Sequence, residues 1–447
     1  MRAMTNMTIV GASAELRTRR LSAEALVGMA LEAASEHAGL NAIAELRAAQ
    51  ALAGAREADR QLAAGRVPGP LHGIPVTVKD LFHTNGFTMR AGTRAPLPAL
   101  GRSRAVDRLL DAGAVVIATT NMHEVALGLT GENEWTGDVL NPYNPEWQSG
   151  GSSSGSAVAV SVGIGLASLA TDTGGSIRVP AANCGVVGFK PSYGVVPLNG
   201  VLPLSPTCDH AGPIARSVED ARLLTQVLAG RELPHRPMEK ARLGYPAAYL
   251  DGRLSPSMGS AFERLLQHLS AFGAEIRLID VPGIELTLEA YTLIVRTEAW
   301  QVHRAALGTT PEGFSEPVRR ALHGGAATPR ARYSEALRQR IRVIEGLREA
   351  FSSAAVDALL LPATPTTPLR RGELEVTLKG GSLPYREAQL TLTAPFSLAG
   401  VPVAAVPFGS VGGFPASLQI VTPWNEDALA LNIAAWAEHV VRAAAER

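Results

Sequence analysis

Residues 148–191 read QSGGSSSGSAVAVSVGIGLASLATDTGGSIRVPAANCGVVGFKP. Two glycine turns, Gly150-Gly151-Ser152-Ser153-Ser154-Gly155-Ser156 and Thr173-Gly174-Gly175-Ser176, stand at either end of an apolar segment. That segment, Ala157 to Ala170, is broken by serines and glycines and is too short for the ~18 apolar residues of a membrane span. It reads as a buried helix followed by a buried strand. A helix that hands over to a strand can fold back and bring the two serine turns, 24 residues apart in sequence, into one neighbourhood.

Outward from this segment the texture repeats. Short apolar runs at Ile74–Val78, Val115–Thr119, Leu166–Ala170, Val186–Phe189, Ile276–Val281, Ala358–Leu361, Val401–Val406 and Leu418–Val421 read as buried strands, with helical stretches between many of them. Such alternation predicts an α/β fold: one α/β/α domain over 1–447 with a large mixed, twisted sheet flanked by helices. Helical spacing is expected over 21–64, with Ser22 as an N-cap and AIAELRAAQALAGAREADRQLA as a second surface helix. The core then spans about 70–230 and a helix-rich, substrate-side region about 255–355. Strands and a last helix, from about Glu426, fill 356–447.

Composition narrows the function classes. Lys plus Arg equals Asp plus Glu at 41 each, so no bulk field gathers nucleic acid or an anionic membrane. Two cysteines, Cys184 and Cys208, make no disulfide framework. With no signal-peptide pattern at the start, a soluble cytoplasmic protein is expected. No Cys/His or His-Glu cluster has zinc spacing, so no metal is expected. A phosphate cradle is the rival use of a glycine turn before a helix, but neither a P-loop ending nor a dinucleotide fingerprint is present.

Two glycines before Ser176 let several backbone N–H groups aim at one point, as an oxyanion requires. A serine hydroxyl needs a base. His72, His83, His123 and His210 are within reach in sequence, yet none sits in a triad motif. Lys79, ending the apolar run before Asp80, is the better candidate. An unperturbed lysine is only roughly 0.4% neutral at pH 8, and burial raises that fraction. Taken singly, a glycine–serine run is more often a loop and a strand-end lysine a solvated charge, so the weight lies in the combination.

The combination resembles the amidase-signature family over nearly the whole chain. The resemblance runs through GIPVTVKDLFHTNGFTMRAGT, TTNMHEVALG, NPYNPEWQSGGSSSGSAVAVSVG, LATDTGGSIRVPAANCGVVGFKPSYGVVPLNGVLPLSPTCDHAGPIARSVEDA, LTAPFSLAGVPVAAVPFG and ASLQIVTPWNED. It implies Ser176 as the acyl-forming nucleophile, Ser152 as a relay after a cis peptide bond, and Lys79 as terminal base. It further implies an oxyanion hole from the amides of Thr173, Gly174, Gly175 and Ser176, with Ser153, Asp172 and Arg178 in support. Ser154 stands where many relatives have glycine, and Cys184 fits a packing position.

The expected activity is hydrolysis of a small amide, with ester or carbamate (urethane) bonds as further targets, no cofactor, and a monomer or homodimer that binds neither nucleic acid nor membrane. Phe82, Met89, Met122 and the helical 285–345 region are expected to line the pocket. The alternatives are the glutamine-hydrolysing A subunit of a tRNA-dependent amidotransferase and a catalytically inactive binding protein on this fold. Against the amidotransferase reading, the resemblance puts Val179 where that subtype commonly has Gln, and Leu390 where it has an aspartate for the substrate amino group.

Overall fold

The computed structural model describes residues 4–67, 69–238 and 240–445. Its strands are β1 (Ile43–Leu46), β2 (Pro75–Lys79), β3 (Val115–Thr120), β4 (Ala167–Asp172), β5 (Val187–Lys190), β6 (His210–Ala215), β7 (Arg242–Tyr245), β8 (Glu275–Leu278), β9 (Ala358–Pro362), β10 (Glu375–Leu378), β11 (Gly381–Pro384), β12 (Val403–Val411) and β13 (Phe414–Val421). Eleven form one sheet in the order β1-β3-β2-β4-β6-β5-β12-β13-β9-β7-β8, and β10–β11 is a separate hairpin. Pairing is parallel at β3-β2-β4 and at β9-β7-β8, and antiparallel through the middle. The fold is the expected mixed α/β sheet flanked by helices.

Each apolar run read from the sequence falls in or overlaps a strand. β2, β3 and β4 are buried at every residue, as parallel strands covered on both faces must be. Ser22 caps the helix Ala23–Glu36 by accepting the Ala25 N–H at 3.0 Å. Helices Pro256–Ala271, Thr287–Thr309, Glu316–Ala326 and Arg330–Ser353 fill the helix-rich region, and the last helix is Asp427–Ala445. Among the described residues no helix is long and apolar enough to cross a membrane.

Three readings need correction. The second expected surface helix begins only at Ala48, because Ile43–Leu46 leaves the helical pattern to pair antiparallel with β3. Sheet pairing there overrides a run of good helix formers. β6 carries Gly212 and Pro213 and gives no strand signal, yet it lies between β4 and β5. A Cβ at Gly212 would meet the Phe189 carbonyl oxygen at 2.2 Å, so the glycine allows that approach. β7 and the β10–β11 hairpin, short and partly exposed, also carry no strand signal in the sequence.

The topology decides what meets. β2 and β4 are parallel neighbours, with Val76 opposite Ala167 and Val78 opposite Leu169. Their C-terminal ends, Lys79 and Thr171-Asp172, therefore emerge at the same edge of the sheet. Helix Ser154–Val162 precedes β4 and packs on both strands, which returns the first glycine turn to that edge.

Candidate active site

Lys79 is drawn inside by its strand and has no exposed surface. Among the described residues it has no carboxylate within ion-pair distance. Its ammonium donates instead to Ser152 Oγ and to Thr171 Oγ1, each at 2.8 Å. Burial pushes its pKa down and the more distant charges of Asp172 and Asp209 only partly oppose this, leaving it at about 7. Near neutral pH much of it is free amine, whose lone pair can take the Ser152 proton while an N–H still reaches Thr171.

The two serine turns are stitched together by Ser153. Its N–H donates to the Ser176 carbonyl at 3.2 Å, and its hydroxyl donates to the Thr171 carbonyl at 3.1 Å. Ser152 follows a cis peptide bond from Gly151 and is fully buried, and Ser176 is nearly so. Lys79, Ser152 and the Ser176 turn thus share one enclosed neighbourhood.

Asp172 and Arg178 hold the second turn. Asp172 accepts the N–H groups of Gly175 at 2.7 Å and Ile177 at 3.1 Å, and pairs with the Arg178 guanidinium at 2.9 and 3.0 Å. Burial alone would raise the Asp172 pKa, but Arg178 overrides it and holds the carboxyl well below the usual range. Arg178 gives its remaining donors to Thr393 O, Gln419 Oε1 and Ser397 Oγ, so every N–H of the buried guanidinium is used.

One expectation changes here. Gly175 is expected among four oxyanion donors, but its N–H is already given to Asp172, whose charge makes the better acceptor. The amides of Thr173, Gly174 and Ser176 have no acceptor among the described residues. Both glycines are needed for the close packing of this turn. A Cβ at Gly174 would lie 2.1 Å from Tyr291 Oη, and one at Gly175, whose φ is +132°, would lie 2.7 Å from Thr393 Oγ1.

A cavity of about 370 Å³ opens beside this centre, lined in part by His123, Leu127, Leu129, Pro317, Tyr385 and Arg386. A larger cleft of about 430 Å³ runs past Tyr245, Gly252 and Lys379, none of which touches the serine turns, so size does not pick out the site. The backbone N–H of His123 donates to the Ser152 carbonyl at 3.1 Å, which ties the first cavity to the turn. Burial lowers the pKa of His123 to about 4, with Lys79 adding to the effect, so its imidazole is neutral. His210 is likewise driven well down by burial, and burial pushes the Cys184 thiol up, leaving neither charged at neutral pH.

The expected pocket residues fall elsewhere. Phe82 and Met122 are enclosed in the core and Met89 is half-buried at its edge, and none of them lines this cavity. Phe82, after β2, and Met122, after β3, pack in the core, and Met89 packs against it. Of the 285–345 region, Ser315 and Pro317 reach the cavity and Tyr291 reaches Gly174.

Sequence reasoning missed Thr171, Tyr291 and Thr393. Thr171 stands directly before Asp172, and its hydroxyl beside that carboxylate is the one signal that could have found it. Thr393, whose hydroxyl donates to the Gly174 carbonyl, comes from 219 residues away and leaves no local signal.

A buried lysine on a serine that follows a cis bond, beside a Gly-Gly-Ser turn, matches a known pattern, and the Amidase family profile covers residues 25–431. The chain belongs to the Amidase family. Members similar to it include the A subunit of the glutamyl-tRNA(Gln) amidotransferase of Halorhodospira halophila, 32% identical over 96% of both chains. A solved amidase structure superposes with a TM-score of 0.95 at 49% identity, covering 97% of this chain and 99% of that one. The peptide amidase of Stenotrophomonas maltophilia superposes at 0.83 with 27% identity, covering 98% and 97%. Membership in the Amidase family makes the protein an amidase-type hydrolase.

Proposed function

We propose that the protein is a stand-alone hydrolase of a small amide, acting through Ser176, Ser152 and Lys79. The observation that carries this is the 2.8 Å contact between a buried lysine with a pKa near 7 and the hydroxyl of Ser152. Neutral Lys79 takes the Ser152 proton as Ser152 takes that of Ser176, and Ser176 Oγ attacks the carbonyl carbon. The oxyanion accepts from the amides of Thr173, Gly174 and Ser176. Ser152 returns a proton to the leaving nitrogen, the C–N bond breaks, and water repeats the cycle on the acyl-enzyme. Esters and carbamates expose the same carbonyl to the same donors and belong to the substrate range.

The amidotransferase relatives favour a second reading, the glutamine-hydrolysing member of a tRNA-dependent complex. Leu390 argues against it. Where that subtype has an aspartate for an ammonium group, this chain has an apolar side chain packed against the Gly174 turn. Two buried free cysteines suit a reducing, cytoplasmic setting, and the enzyme is read as one domain working without a cofactor, as a monomer or homodimer.

A panel of aryl amides, esters and carbamates, run with wild type and Ser176→Ala, tests the proposal. The variant is expected to lose at least ~10⁴-fold in kcat/KM. Wild-type rates in Ser176→Ala would overturn it, and ammonia release from glutamine in preference to the panel would favour the second reading.

A further inference from the structure

The buried arginines of this protein are generally provided with acceptors. Arg178 uses all its donors, and Arg222 reaches Asn432 Oδ1 at 2.9 Å and the Leu233 carbonyl at 3.3 Å. Arg386, half-buried in the wall of the 370 Å³ cavity, is different. Among the described residues it makes no hydrogen bond and no ion pair. Neither does Arg296, on helix Thr287–Thr309, whose Nε is buried without a partner. Burial disfavours the charge of Arg386 most, nearby Tyr291 opposes this, Arg296 adds to it and Glu387 opposes it more weakly. An unpaired guanidinium in a cavity wall, with a second cation near it, offers an anion a charge-assisted contact that no protein group takes up.

The carboxylates of the cavity do not supply that anion. Glu124 is taken by Thr93, Trp135 and the Ser315 N–H. Asp138 is taken by Arg371 and the Asn133 N–H, and Glu132 by the Gly372 N–H. Glu134 and Glu387 are exposed to solvent, and Glu387 favours the charge of Arg386 only from a distance, with no ion pair among the described residues.

Arg386 also shares the cavity wall with His123, whose N–H holds the Ser152 carbonyl. Arg386 stands one turn before Leu390 on helix Tyr385–Ala399, and Arg296 stands on the helix that carries Tyr291. Leu390 and Tyr291 are the side chains that press on Gly174, at 3.0 and 2.1 Å from its would-be Cβ. A helical turn rises ~5.4 Å, so Arg386 stands about that far along its helix from the side chain that presses on the oxyanion turn. Apolar Leu127, Leu129 and Pro317 line the same cavity.

We propose that Arg386, supported by Arg296, binds a carboxylate on the substrate, so that the preferred substrate is an amide with an apolar body and an anionic end. This rests on the hydrolase reading of the site. Planar guanidinium and carboxylate groups match in a two-point contact, which a neutral amide of equal size cannot make.

The test compares three anilides of similar size: butyryl-p-nitroanilide, succinyl-p-nitroanilide and 4-(butyrylamino)benzoate. One of the two acids is expected to exceed the neutral compound by about tenfold or more in kcat/KM, mainly through KM, the discrimination one charge-assisted contact can supply. In Arg386→Gln that ratio should fall to near one. In Arg386→Lys, which keeps the charge but not the fork, and in Arg296→Gln, it should fall part of the way. Preference for the neutral anilide, or an unchanged ratio in Arg386→Gln, overturns the proposal. If wild type turns over none of the three and none of the wider panel of amides, esters and carbamates, the hydrolase reading fails instead. Calorimetric titration with succinyl- against butyryl-p-nitroanilide then decides the anion site alone. Tighter binding of the acid that is lost in Arg386→Gln supports it, and equal binding overturns it.

Discussion

Lys79 and Lys190 invite comparison. Each ends a strand, β2 and β5, each has no exposed surface, and burial takes each to a pKa of about 7. Asp172 acts on both, favouring the charged form. The difference lies in what the amines touch. Lys79 faces two hydroxyls, which can give a proton as well as accept one. Lys190 faces the carbonyls of Pro191 and Val401, at 3.2 and 2.5 Å, which can only accept. A neutral Lys190 therefore keeps its N–H groups for the backbone, while a neutral Lys79 has a proton donor at its lone pair. A perturbed pKa marks burial, and the partner decides whether it marks chemistry.

The sharpest way to break this comparison is to remove each amine. Lys79→Met is expected to lower kcat by roughly 10²–10⁴-fold, the range for loss of a general base, with the protein still folded by circular dichroism. A variant that keeps most of its activity would place the base elsewhere.

Asp172→Asn comes next in size. It leaves Arg178 buried without its counter-charge, which costs about 3–5 kcal/mol of stability in urea unfolding. It also withdraws the charge that holds both lysines up, so their pKa values should fall further. A loss of less than ~1 kcal/mol would mean Arg178 finds another anion.

Lys190→Met has the smallest expected effect on activity; on stability it costs about 1–3 kcal/mol for each of the two carbonyls left without a donor, read as a lower urea midpoint. The sign of its pH dependence follows from burial. Folding holds these lysines near 7 against an ordinary value of about 10.4, so between those limits the unfolded chain binds more protons. Stability should therefore climb as pH rises through that window, and less steeply in Lys190→Met. A steeper climb in the variant would contradict the assignment.

Much of the fold is legible in residues that act locally. Runs such as Ile74–Val78 and Leu166–Ala170 announce strands because buried strands need apolar side chains on both faces. The Gly-Gly-Ser turn announces itself because only glycine tolerates the contacts made there by Tyr291 and Thr393. Lys79, Ser152 and Ser176 can be named from the sequence, and the fold brings the lysine to Ser152 and the two serine turns together. What cannot be read depends on pairing between distant segments. β6 carries glycine and proline, and only its neighbours make it a strand. Gly175 looks like an oxyanion donor until the fold gives its N–H to Asp172. Phe82 and Met122 are apolar and precede the serine turns in sequence, which cannot tell the core from a cavity wall. The two unpaired arginines come from helices 90 residues apart in the numbering and are uninformative until the fold sets them together.

The most direct test is the pH dependence of kcat/KM for one neutral amide in wild type, Lys79→Met and Lys190→Met. Activity should rise with a slope of one to a plateau above about pH 7, with the same limb in Lys190→Met and none in Lys79→Met. A flat wild-type profile between about pH 6 and 9, or a limb that survives Lys79→Met, would contradict Lys79 as the base.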